Sequence, residues 1–124
     1  KEARLRKLLN LGHTLGHAIE TLSNFELGHG SCVAAGTVMM AKACAKLGLC
    51  SYEDAESIAE LTQSYELPTS TSFDVEELYS TALHDKKSHV DSIDVALIYG
   101  IGDVRIERKS FTELKQLIES AKED

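Results

Sequence analysis

The 124-residue chain has no tryptophan, a single proline and no excess of positive charge. Its formal net charge of −7 argues against a nucleic-acid surface and against a polybasic membrane patch. No apolar run is long enough to cross a bilayer as a helix, and no secretory signal pattern is present. No repeat, low-complexity run or linker divides the chain, so its length fits one domain with a modest core. An initiator methionine is missing too: KEARLRKLLNLG enters directly on a charged helical pattern. The chain is therefore expected to be a segment of a longer protein, with a processed terminus as the alternative. Cys32, Cys44 and Cys50 are odd in number and lack paired spacing. They read as free thiols of a reducing cytoplasm, used as small buried apolar residues rather than as metal ligands.

What is present is mostly helical periodicity. Residues 2–22 form the first helical candidate, with Leu8, Leu11, Leu15, Ala18, Ile19 and Leu22 on one face. SNFELGHG, with Asn24 and two glycines, breaks it. From Ser31 to Leu47 the sequence is apolar on nearly all sides, which predicts a buried helix ended by Gly48. Ser51, followed by Glu53 and Asp54, predicts a capped third helix running to about Tyr65, and Pro68 closes that region. Asp74 caps the short helix VEELYSTAL, and HDKKSHVDS reads as a polar loop. In IDVALIYGIGDVRIER, Val95, Leu97 and Tyr99 alternate with Ala96 and Ile98, and Gly100 and Gly102 punctuate. That predicts a small β-hairpin near residues 93–107. Ser110 and Glu113 have capping-box spacing for a last helix, LKQLIESAK. The expected fold class is mainly α, with one small β element.

The chemistry gathers in NLGHTLGHAIE. Arg6, Asn10, His13 and His17 fall at spacings of four, three and four. On a helix they lie within roughly 60° of one another, opposite the leucine face. One stripe thus offers a guanidinium for carboxylate or phosphate, a carboxamide, and two imidazoles suited to metal or proton transfer. A plain solvated face is the bland reading of such a stripe. Against it, a solvated face favours Glu and Lys over His and Asn. Gly12 and Gly16 also cost roughly 1 kcal/mol each in a helix, so clearance for a backbone or a ligand is their expected use. His29, between Gly28 and Gly30 at the start of the buried helix, is the third candidate, with a loop histidine as the alternative. Spacing alone does not decide whether His13, His17 and His29 share one metal. His84 and His89 flank Asp85, Lys86 and Lys87, a stretch that is either a solvated loop or an anion-binding one.

RKLLNLGHTLGHAIE, then LGHGSCVAAG with its histidine sixteen residues after the first, then HDKK and VALIYGIGDV, resemble the C-terminal domain of 3-dehydroquinate synthase, in order and spacing throughout. The resemblance implies a helical C-terminal domain that faces an N-terminal NAD-binding domain absent from this chain, with the active site between them. It implies a phosphate-eliminating lyase that converts 3-deoxy-arabino-heptulosonate 7-phosphate to 3-dehydroquinate and phosphate in the shikimate pathway of aromatic amino acid biosynthesis. The implied cofactors are NAD and a divalent metal, zinc or another such as cobalt. Carried over by position, His13 and His29 are the metal ligands, completed by an upstream glutamate. His17 contacts substrate and is catalytic. Arg6 and Asn10 bind substrate, and Lys86 or Lys87 holds an anionic group in the catalytic site. Where the family usually reads HGE, this chain reads His29-Gly30-Ser31. The implied partners are the NAD-binding domain, the sugar-acid phosphate and a second copy in a homodimer, with no nucleic acid and no membrane. The 124 residues alone are expected to be inactive. The alternatives are a sibling sugar-phosphate cyclase such as 2-deoxy-scyllo-inosose synthase, a metal-dependent polyol dehydrogenase, and a non-catalytic zinc-binding helical module.

Overall fold

The structure is a computed structural model that describes residues 13–24, 26, 28–85 and 92–122. Arg6, Asn10, Gly12, Lys86, Lys87 and His89 lie outside the described residues, as do residues 2–12 of the expected first helix. The described elements are α1 (His13–Leu22), α2 (His29–Lys46), α3 (Tyr52–Ser64), α4 (Val75–Asp85), β1 (Ser92–Gly100), β2 (Asp103–Ser110) and α5 (Phe111–Lys122). This is the mainly helical fold with one hairpin that the sequence predicts.

α2 is the central element, and α1, α3, α5 and β1 pack on it. Its Cys32, Ala35, Gly36, Val38–Met40, Ala41 and Ala43–Ala45 are buried, as its apolar composition demands. α2 ends where Gly48 takes φ +81°, a conformation glycine adopts without a Cβ penalty. There the Leu49 N–H donates to the Cys44 carbonyl at 2.9 Å and the Gly48 N–H to that of Ala45 at 3.1 Å. This Schellman pattern satisfies carbonyls that the helix end would otherwise orphan.

The later helices carry their start signals in sequence. Ser51 Oγ accepts from the Asp54 N–H at 3.0 Å. Asp74 and Glu77 bond reciprocally, the Glu77 N–H to Asp74 Oδ1 at 2.8 Å and the Asp74 N–H to Glu77 Oε1 at 3.0 Å. Ser110 and Glu113 repeat the arrangement at the start of α5. Substituting such a cap by alanine typically costs about 0.5–2 kcal/mol.

β1 and β2 pair antiparallel, with Ala96 opposite Ile106 and Ile98 opposite Val104. The register shifts between Ile98 and Gly100, so Tyr99 is the extra residue of a bulge. The Ile98 N–H reaches out of the sheet to Cys44 Sγ at 3.4 Å, which ties the hairpin to α2. Alternation suggests a two-faced strand, yet Val95, Ala96, Leu97 and Ile98 are all buried. β1 is covered on both sides and reads as a continuous apolar run, the pattern of an enclosed strand. The core joins Leu15 and Ile19 of α1, Met39 and Met40 of α2, Leu78 of α4, Leu97 of β1, and Leu114 and Ile118 of α5. All three cysteines are free and buried there.

Candidate metal and substrate site

α1 and α2 form an αα-hairpin joined by residues 23–28. A Cβ placed on Gly16 would lie 3.0 Å from Val33 Cα and 3.1 Å from the Cys32 carbonyl oxygen. The helices therefore meet backbone to backbone at this point. Of the two explanations for the glycine, clearance for a neighbouring backbone is the one the structure supplies. One turn on from Gly16 along α1 is Glu20, and one turn back from Val33 along α2 is His29. Running antiparallel, the helices bring these two together: His29 Nδ1 lies 3.1 Å from Glu20 Oε1. Close contact in one turn thus sets up the polar contact in the next.

Glu20 is the residue of this cluster that sequence reasoning missed. It lies three residues after His17, so it continues the stripe of Arg6, Asn10, His13 and His17 at helical spacing. That spacing was the available signal. The Glu20 side chain is 15 % exposed, against 61 % for His29. The same Oε1 sits 3.9 Å from His17 Nδ1, an ion-pair separation for a protonated imidazole and too long for a hydrogen bond. The carboxylate therefore engages the two histidines unequally. It also acts on the core: burial first, and the Glu20 charge second, push the Cys32 thiol up. That disfavours the thiolate a metal would take, in keeping with a packing role for this cysteine.

The predicted residues divide as follows. His17 and His29 converge on Glu20 from two helices. The backbone of His13 opens α1 on the same stripe, and Arg6, Asn10, Lys86 and Lys87 lie outside the described residues. Ser31 is half-buried in the first turn of α2. Among the described residues no three His, Cys, Asp or Glu side chains converge as a complete metal cage. The donor chemistry nevertheless suits a divalent ion such as zinc. A carboxylate at Nδ1 favours the tautomer with its proton there, which puts the ring's lone pair on Nε2, the nitrogen then suited to a metal. Away from this site, a groove of about 350 Å³ lies between α2, α3 and the following loop, lined in part by Val38, Lys42, Tyr52 and Thr69. It contains none of the histidines.

Similar folds occur in crystal structures of 2-deoxy-scyllo-inosose synthase. One has a TM-score of 0.67 at 22% identity, covering 89% of this chain and 31% of that one. A second, complexed with carbaglucose-6-phosphate, NAD+ and Co2+, has a TM-score of 0.69 at 22% identity, covering 88% and 32%. The fold is thus of the class found in 2-deoxy-scyllo-inosose synthase. The family described as 3-dehydroquinate synthase C-terminal matches residues 1–88, and the chain belongs to it. It is 37% identical over 124 residues to 3-dehydroquinate synthase of Thermococcus kodakarensis, covering 99% of this chain and 35% of that protein. It is 42% identical over 118 residues to 3-dehydroquinate synthase of Corynebacterium diphtheriae, covering 94% and 33%. The chain therefore spans about a third of the length of these relatives.

Proposed function

We propose that the chain is the metal- and substrate-binding domain of a 3-dehydroquinate synthase. The complete protein converts 3-deoxy-arabino-heptulosonate 7-phosphate to 3-dehydroquinate and phosphate, in the shikimate pathway. The observation that carries this reading is the family match over residues 1–88, which spans every proposed site residue from Arg6 to Lys87. His13 and His29 hold the divalent metal, zinc by preference, with an upstream glutamate completing the set. When bound, the metal acts as a Lewis acid towards a substrate oxygen, while NAD, on an upstream domain, carries the hydride. His17 faces the substrate one turn from His13 and exchanges a proton with it. Arg6 and a lysine of the Lys86–Lys87 pair bind its carboxylate and phosphate, and Asn10 binds a hydroxyl. Three free, buried cysteines accord with a reducing cytoplasm.

A sibling cyclase is the second reading, favoured by the fold shared with 2-deoxy-scyllo-inosose synthase. One assay separates the two. The complete protein, loaded with NAD+ and zinc, is offered the heptulosonate phosphate and, separately, glucose 6-phosphate. Phosphate release from the first substrate, lost on chelation and lost in His29→Ala, is the expected result. Turnover of glucose 6-phosphate alone would establish the sibling activity instead. The 124-residue chain by itself is expected to release no phosphate.

A further inference from the structure

We propose that Glu20 is the positioning residue for His29, holding its imidazole with the proton on Nδ1 so that Nε2 is presented to the metal. This rests on the metal-site reading above and adds a residue and a role to it. Three observations carry it. The Glu20 oxygen stands at hydrogen-bond distance from His29 Nδ1, at 3.1 Å. The acceptor is anchored, since Glu20 is mostly covered at 15 % exposure, while the ring it holds is 61 % exposed. An exposed ring on the first turn of a helix has several rotamers open to it, and the contact with Glu20 favours one of them. The anchor is also fixed from below, because the backbone contact at Gly16 and Val33 sets the helix spacing one turn away.

The contact further distinguishes the two described histidines. Oε1 is 3.1 Å from His29 and 3.9 Å from His17, so it hydrogen-bonds only the former. A carboxylate on the outer nitrogen fixes a ligand's tautomer and raises its basicity towards a metal. Glu20 thereby commits His29 to coordination and leaves His17 outside that pairing.

Metal affinity in the complete protein tests this, measured with zinc or Co2+ against a competing chelator, without substrate. Glu20→Ala is expected to weaken binding by about 10–100-fold, the usual effect of losing an outer-shell partner. Glu20→Gln keeps an acceptor oxygen in the same shape and is expected to lose less than about tenfold. In a His29→Ala background, Glu20→Ala should add no further loss. Histidine 15N NMR of the metal-free protein should show the Nδ1–H tautomer for His29, a readout that needs no variant to fold. Metal affinity of Glu20→Ala within about threefold of the parent would overturn the proposal, since an outer-shell partner should cost more. So would an Nε2–H tautomer in the parent, or an equal further loss in the His29→Ala background. Glu20→Gln binding as poorly as His29→Ala would also overturn it and make Glu20 a ligand. If His29→Ala leaves metal affinity intact, the metal-site reading falls and takes the proposal with it. If His29→Ala abolishes binding and Glu20→Ala does not, only the proposal falls.

Discussion

At its start α2 exposes its N-cap Gly28, then His29 and Gly30. From Val38 to Ala45 the same helix buries every residue but Lys42. One end is open and the other is packed. The lesson is mechanical. A side chain can stand in an open site and keep its place when its helix is clamped further along. Stability and site chemistry should therefore respond to different parts of one element.

The largest expected effect lies at the packed end. Met39→Ala removes a side chain that is 1 % exposed, and truncations of this kind cost about 2–5 kcal/mol. Chemical denaturation should show a lower midpoint with an unchanged slope; an unchanged midpoint would break the comparison. A smaller effect is expected at the clamp. Gly16→Val forces a branched side chain against the Val33 backbone, and such overpacking costs about 1–3 kcal/mol. Gly30→Val is its control, because Gly30 lies within α2 and a Cβ there meets nothing within 4 Å. If Gly16→Val destabilises no more than Gly30→Val, close approach to Val33 does not explain Gly16.

The smallest effect concerns helix starts. α5 opens on a reciprocal cap, and the Ser110 N–H holds the Glu113 carboxyl below the usual glutamate range, with Lys109 and the Ser110 hydroxyl adding to the effect. A depressed folded value means stability that is present above the ordinary carboxylate range and lost as pH falls through the lowered folded value. The stability gap between the parent and Glu113→Gln should accordingly narrow between neutral pH and about pH 3. A gap that stays constant with pH would show that the charge contributes nothing.

Much of the fold was legible because its signals are local. Ser51, Asp74 and the Ser110–Glu113 pair act within one turn of their own helix, and Gly48 closes α2 with bonds to residues a turn away. The burial of both faces of β1 was less legible, since it depends on which elements close over the strand. Ala96 and Ile98 read the same whether covered or not. The site was half legible. The stripe of His13 and His17 and the lone His29 stood out by residue type. The contact between Glu20 and His29 depends on how α1 and α2 run past each other, and no spacing within either helix encodes that. Gly16 was a clue to the crossing, and the neighbour it admits could be named only from the structure.

The meeting of Gly16 with Val33 has a consequence for how such a domain changes over generations. Where two helices touch through their backbones, their separation no longer depends on which apolar side chains fill the rest of the interface. Leu15, Ile19 and Met39 belong to the surrounding core, and cores accept exchanges among apolar residues of conserved volume. Such exchanges leave the span from α1 to α2 unaltered, and with it the reach of Glu20 to His29. The interior is thus free to drift while the chemistry keeps its dimensions, and the residue that grants this freedom is the one with no side chain at all.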